Sequence, residues 1–392
     1  LSLKCRHWEI CIRPTLGQVF QMITGDRTRI SFFVLVGITI CFVLVHHYVG
    51  QMQKLSKDIR AKSQKVAPAY RTSFLEEYRP DPFRYLIDTC TGKDQCEGWG
   101  DRQRAMVTTY LISLITNRTY GILMDTPCEL TKTMVPNKIN WNISKHDLAH
   151  LKSRDFYMQN DQVNNFKFHK MIETADLDKE FSEPVIYFHT TQDYVTAIRR
   201  NMNTADRIPW LHKLSLSNIY GIVLKNLLSP SDEIQRLISE FMLKEVRGRT
   251  LVCAHVRMGF KEVEKLRTQT NEVGTIWNFL SDYKNSSDYA IYVATDKNET
   301  KEEARQLFKN GLVDINGPIE FMHYDVSCTG FQNAIIEHII LTKCNILLLT
   351  RSSFGITAAY IRDTNEGLYC LFKNRIFPCS MEVFHELHEA FL

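Results

Sequence analysis

The chain has 392 residues, a net charge of +4, 44% apolar residues and 23% charged residues. That length is enough for two packed domains with real cores. The composition is ordinary for a globular protein, and so small a net charge argues against a nucleic-acid-binding surface.

Residues 1–29 form a basic, polar stretch without periodicity and read as a cytoplasmic tail. Ile30 to Val45 is uncharged and mostly apolar, and no Asp, Glu, Lys or Arg follows until Lys54. Continuing to Val49 gives the roughly 20 residues that a bilayer span needs. The run is apolar on every face, unlike a core helix with one buried stripe. It follows a long polar stretch instead of opening the chain, which disfavours a cleaved signal peptide. Residues 30–49 therefore read as a transmembrane signal anchor through the lipid bilayer. Lys4, Arg6, Arg13, Arg27 and Arg29 precede it and Lys54, Lys57, Arg60, Lys62 and Lys65 follow it, so flanking charge leaves the orientation nearly tied.

Two other features place the C-terminal part in a secretory lumen. Asn117, Asn142, Asn285 and Asn298 each begin an Asn-X-Ser/Thr glycosylation sequon. Eight of the 11 cysteines lie beyond residue 89, with no CxxC pair to suggest zinc. Cys90 and Cys96 are close enough to staple a loop, and Cys370 and Cys379 can close a hairpin. A short span also suits the thinner secretory membranes. The expectation is a single-pass type II protein of the Golgi membrane, with its large C-terminal part luminal.

Residues 50–80 are charged, interrupted at Pro68 and Pro80, and read as a stem. Phe83 to Thr89 reads as a strand. Gly98 and Gly100 then permit a tight turn, and Asp101 is placed to cap a helix from Arg102 to Leu114. Strand, glycine turn and helix together make a ligand site at a helix N-terminus. The third glycine of a dinucleotide fingerprint is absent. Tyr120 to Met124 and Pro184 to Phe188 read as further strands. Trp141, Phe156, Tyr157, Tyr187 and Trp210 suit a core individually, although aromatic faces also pack on sugar rings.

Asp232 to Lys244 has its apolar side on Ile234, Leu237, Ile238, Phe241 and Met242 and reads as a helix. Thr250 to Val256 reads as a buried strand that delivers His255 and Arg257 to a polar edge, with Gly259 turning the chain away. Asp288 to Asp296 is a second such strand, ending at Thr295 and Asp296. Helical sequence at Glu302 to Phe308, a strand at Ile319 to Tyr324 and a helix from Phe331 to Cys344 follow. A third strand begins at Asn345 and ends in the turn containing Ser352 and Ser353, before Gly355 and another helix. Alternation of this kind predicts α/β structure with parallel, doubly wound sheets. One sheet before and one after residue 230 would face each other across a cleft, giving domains at 81–230 and 231–392.

A metal site has little support. Asp176-Leu177-Asp178 is formally DxD but lies in a charged segment that reads as a solvated helix face. His385-Glu386-Leu387-His388 lacks the HExxH spacing that puts two histidines on one face. Neither a nucleophile elbow nor a P-loop is present.

Four short segments resemble shared motifs of the α1,2-, α1,6- and protein O-fucosyltransferases. His255-Val256-Arg257 with Gly259 looks like the HxRxG part of their first motif. Ala294-Thr295-Asp296 looks like the second. Ser352-Ser353-Phe354-Gly355 with Ala358-Ala359-Tyr360 is similar to the third as it stands in animal α1,2-fucosyltransferases. Gly98-Trp99-Gly100-Asp101-Arg102, then Leu114-Ile115-Thr116-Asn117-Arg118, is similar to a GLGNR…LLTNR segment of plant xyloglucan-type enzymes. The resemblance runs over most of residues 95–370.

It implies a GT-B architecture, with two facing Rossmann-like domains, an acceptor-side N-terminal domain and the donor GDP-fucose in the C-terminal one. It also implies an inverting reaction on a glycan acceptor that needs no cofactor and no metal. Carried over, Arg257 would bind the β-phosphate, and His255 and Asp296 would help to hold the nucleotide. Ser352, Ser353 and Gly355 would form the pyrophosphate turn, while Gly98, Gly100 and Arg102 would form an acceptor-side loop. A planar guanidinium suits a diphosphate, and stabilising the leaving GDP can take the place of a metal. Phe260 stands where the first motif usually has Asp, and Met258 where a second basic residue is common. The base is thereby left to another carboxylate, Asp101 or Glu262. Two alternatives stay open: a GT-B transferase using another nucleotide sugar, and a Golgi membrane protein that keeps the fold without turnover.

Overall fold

The computed structural model describes residues 80–92, 96–158, 162–204, 207–259, 268–315, 317–320 and 326–384. The expected tail, span and nearly all of the stem lie outside the described residues, as do Phe260, Glu262, His385 and His388. Among the described residues no helix is long and apolar enough to cross a membrane.

The first sheet is built on β1 (Asp81–Cys90), whose last five residues are buried. Helix α1 (Trp99–Ile115) returns the chain to β2 (Arg118–Met124). Strand β3 (Ser153–Met158), α2 (Gln162–Thr174), β4 (Val185–Thr190) and α3 (Val195–Arg200) complete this half. The order is β2-β1-β4-β3 with every pair parallel.

Helices α4 (Leu216–Leu227) and α5 (Asp232–Phe241) lead into the second half. It continues with β5 (Thr250–Val256), α6 (Thr270–Ser281), β6 (Tyr289–Thr295), α7 (Asn298–Phe308) and α8 (Cys328–Lys343). Strand β7 (Ile346–Leu349), α9 (Ser353–Arg362), β8 (Leu368–Phe372) and β9 (Arg375–Pro378) close it. The order is β9-β8-β7-β5-β6, parallel except for the β8–β9 hairpin. β5 and β6 are buried almost end to end because helices cover both faces of a parallel sheet. Val252, Ala254, Val256, Ile291, Val293 and Leu348 form one core cluster with Val273, Ile276 and Leu280 of α6. Each valine, isoleucine or leucine among them contributes about 1.5–3 kcal/mol by leaving water.

Three details differ from the sequence expectation. The helix from Asp232 is α-helical only to Phe241, continues as a π turn at Met242–Val246, and stops where Arg247 turns left-handed. Ile319 and Glu320 are not in a strand, and the rest of that expected strand lies outside the described residues. Beyond β6 the sheet is instead extended by a single parallel bridge between Ile291 and Leu312. Helix α1 begins at Trp99, three residues before the expected start, with Gly98 as its N-cap and no side-chain cap.

All eight cysteines beyond residue 89 are paired. Cys90–Cys96 and Cys370–Cys379 are the local bridges read from spacing. Cys253–Cys344 ties β5 to the end of α8, and Cys128–Cys328 joins the first half to the start of α8. Helix α9 packs on α1 and α4, and so carries the second half onto the first.

Candidate active site at the meeting of two switch points

In an open α/β sheet, loops diverge where the strand order reverses, and the opening beyond those carboxyl ends takes ligands. The second sheet reverses between β5 and β7, the first between β1 and β4. The segments singled out by sequence follow β1, β5, β6 and β7, so three of the four border one of these two points.

At the second switch point Thr350 stitches the strands together. Its Oγ1 accepts from the Arg257 backbone N–H at 2.9 Å and donates to the His255 carbonyl at 2.9 Å. His255 is buried, with its ring stacked on Phe354 at 5.2 Å between centroids. A Cβ on Gly355 would stand 2.8 Å from His255 Nδ1, so only glycine admits the ring there. His338 of α8 meets Phe354 edge-on at 5.0 Å and its Nε2 lies 3.1 Å from Thr357 Oγ1. Burial, reinforced by the neighbouring His255, pushes the His338 pKa down to about 3, so this ring is neutral. His255 thus belongs to an aromatic floor under the N-terminus of α9.

Arg257 stands at the carboxyl end of β5 and forms an ion pair with Asp296, at the carboxyl end of β6. Asp296 also accepts from the backbone N–H groups of Met258 at 2.8 Å and Gly259 at 2.9 Å. Its two oxygens are engaged by the loop after β5. Asp296 therefore fixes the segment that carries Arg257, and does so without presenting an open carboxylate.

Ser352 caps α9, its Oγ accepting from Phe354 N–H at 3.3 Å. Ser353, the first residue of the helix, accepts from Arg104 Nη1 at 3.3 Å. Gly100 lies against this turn: an added Cβ would meet Phe354 N and the Ser353 carbonyl carbon at 2.4 Å. Gly98 has φ −72°, which any residue adopts. The glycine that matters in this loop serves close approach between the halves, and it does not serve a turn.

Asp101 sits in the first turn of α1, where a carboxylate complements the helix dipole, 3.5 Å from Arg104. Arg102 turns inward and is 3% exposed. It donates to the carbonyls of Glu97 at 3.2 Å and Thr126 at 2.6 Å and lies 5.0 Å over the Phe331 ring. Burial lowers its pKa to about 10, against the pull of Asp88, Asp101 and Glu97. Arg102 is a strut that joins the halves from inside. Asp88 beside it is buried, and burial raises its pKa well above the usual carboxylate value despite Arg102.

Arg104 is the site residue that motif reading passed over. Burial opposes its charge, but Asp193, Tyr220 and Asp101 outweigh that and raise its pKa. The only signal in the sequence is its place one helical turn after Gly100, on the face that a helix would bring to the same side.

Asn117, Asn142, Asn285 and Asn298 are all exposed. Asp178 pairs with Arg84 and Arg207, and Asp176 with Lys179, so the DxD segment is taken up by surface ion pairs. Among the described residues no group of three or more His, Cys, Asp or Glu could hold a metal ion.

No family model and no curated protein matches the sequence. Solved structures do match the fold. A point mutant of FUT1 from Arabidopsis thaliana in complex with GDP aligns with TM-score 0.52 and 11% identity, over 82% of this chain and 78% of that one. NodZ, an α1,6-fucosyltransferase from Bradyrhizobium soaked with GDP-fucose, aligns with TM-score 0.50 and 12% identity, over 76% of this chain and 99% of that one. A GDP co-crystal of NodZ aligns equally well, at TM-score 0.50. The fold is thus an α/β fold of Rossmann-like sheets of the kind found in GT-B fucosyltransferases.

Proposed function

We propose that this protein is an inverting glycosyltransferase of α1,2-fucosyltransferase type, transferring L-fucose from GDP-fucose to a glycan hydroxyl. One observation carries the reading. Segments far apart in sequence, Gly98–Arg104, His255–Arg257, Asp296 and Ser352–Gly355, converge where two sheets reverse, in a fold also seen in proteins bound to GDP or GDP-fucose.

In this reaction the acceptor oxygen attacks C1 of GDP-β-L-fucose, the bond from C1 to the phosphate oxygen breaks, and an α-linked product forms. Arg257 exchanges its Asp296 partner for the β-phosphate and neutralises charge as GDP departs. Asp296 acts through Arg257, by fixing its loop. Ser352, Ser353 and Gly355 form the turn at the positive end of α9 that receives the diphosphate. Asp101, partly exposed at the first switch point, takes the acceptor proton. Residues 81–230 serve the acceptor and residues 231–392 the donor. No metal is needed in this scheme. Four disulfides and four exposed sequons favour a luminal domain of a Golgi type II protein anchored by residues 30–49.

The engagement of Arg257 by Asp296, with Phe260 in the motif, favours a second reading in which the fold binds a nucleotide or glycan without turnover. Thermal shift with GDP, UDP and CMP, followed by GDP-fucose turnover on a glycan panel, separates the two. Stabilisation by GDP with transfer supports the proposal. GDP stabilisation without transfer moves the assignment to the second reading, and stabilisation by UDP or CMP instead defeats the GDP-fucose assignment.

A further inference from the structure

We propose that Arg104 is a positioning residue that commits the Ser353 hydroxyl to donating a hydrogen bond to the anionic group bound at the N-terminus of α9. This rests on the nucleotide-sugar reading above. A guanidinium has donors and no acceptor. At 3.3 Å, Arg104 Nη1 therefore donates to Ser353 Oγ and the hydroxyl accepts. With a lone pair so occupied, the Ser353 O–H turns away from Arg104. Ser353 is half-buried and opens α9, where the first backbone N–H groups have no intrahelical partners and the helix dipole is positive. A hydroxyl polarised by a cation is also the stronger donor. Ser352, by contrast, is buried and serves as the cap.

The Nη1 of Arg104 is shared between Ser353 Oγ and Asp101 Oδ1, and Asp193 adds to the negative charge that favours the guanidinium. Asp101 lies beside the guanidinium, and the guanidinium holds Ser353. Arg104 belongs to α1, in the first half of the molecule, while Ser353 belongs to the second. The close approach of Gly100 to the Ser353–Phe354 backbone sets the spacing between them. The first half thereby orients a donor group in the second without touching the nucleotide.

The test is a double-mutant cycle of Arg104→Met and Ser353→Ala, with dissociation constants for GDP and guanosine measured by calorimetry beside melting curves. Each single change should weaken GDP on the order of 10-fold and leave guanosine within about 2-fold. The double variant should be no weaker than Ser353→Ala, because Arg104 acts through that hydroxyl. Additive losses, or equal losses for GDP and guanosine, overturn the inference and leave Arg104 as a strut between the halves. Should Arg104→Met not fold, Arg104→Gln closes the cycle, since its shorter, neutral amide cannot replace the guanidinium Nη1 at Ser353. Wild-type protein that binds no nucleoside diphosphate defeats the functional reading and this inference together. Wild-type binding with an additive cycle defeats this inference alone.

Discussion

The helix α1 that follows β1 and the loop after β5 each carry an arginine that a motif comparison singles out, and the two arginines are held in opposite ways. Arg102 is bound by the carbonyls of Glu97 and Thr126 beneath the Phe331 ring, whereas Arg257 is bound by the Asp296 carboxylate. Carbonyls of a folded loop cannot leave, so the guanidinium of Arg102 is consumed by the structure. A carboxylate at a strand end can be replaced by a phosphate oxygen of the same charge and similar geometry. The two arginines differ in the chemistry of their partners and in burial, Arg102 being fully buried and Arg257 only partly so.

That comparison can be broken by three measurements. Arg102→Ala has the largest expected effect, on stability: a buried side chain is removed and the Glu97 and Thr126 carbonyls lose its hydrogen bonds, at about 0.5–1.5 kcal/mol each before the packing loss, so the melting temperature should drop sharply. An unchanged melting curve would mean that Arg102 is no strut. Arg257→Ala is expected to act on turnover, with kcat for GDP-fucose falling on the order of 10²–10³-fold, or about 2.7–4 kcal/mol. Its melting temperature should move little, and Arg257→Lys should recover only a small part of the rate. Normal turnover in Arg257→Ala would leave Arg257 as a second loop anchor and remove the contrast.

Asp88→Asn gives the smallest effect and probes the environment of Arg102. Because the folded pKa of Asp88 is raised above the ordinary 3.8, its contribution to stability is fully present below that pH and is lost as pH rises toward the folded value. Asparagine mimics the protonated acid. The variant should therefore match wild type near pH 4 and melt higher above it, with the gap widening as pH increases. A gap that is constant or that closes with pH would show that Asp88 is ionised beside Arg102.

Much of this architecture is legible in the chain. β5 and β6 are uncharged, mostly apolar runs buried on both faces, and such runs announce a parallel strand. Strand β3 (SRDFYM) is not so marked, because it is the edge of its sheet and only Phe156 and Met158 are buried. Leu312 replaces the strand expected at 319–324, since one bridge to Ile291 leaves no periodic trace. In the site, motif position located Arg257, Asp296 and Ser353 but not their pairings. Arg104 and Asp193 are 89 positions apart by number, 193 minus 104, and only the β1/β4 reversal brings them together. Local pattern carries no record of such contacts, and the Cys128–Cys328 pairing was illegible for the same reason.

That bridge also governs how the protein is made and how it is cut. Its cysteines are 200 positions apart, and Cys253–Cys344 crosses it, with one end inside the loop and one outside. During synthesis Cys128 emerges after Cys90 and Cys96 and long before Cys328. Its thiol must stay reduced, or be released from a wrong partner by thiol–disulfide exchange, until the last third of the chain appears. Once formed, the bond holds together the segments on either side of residues 128 to 328 when the chain between them is cut. A protease nick anywhere between residues 129 and 327 leaves one covalent molecule, which runs as a single band until a reducing agent parts it into two.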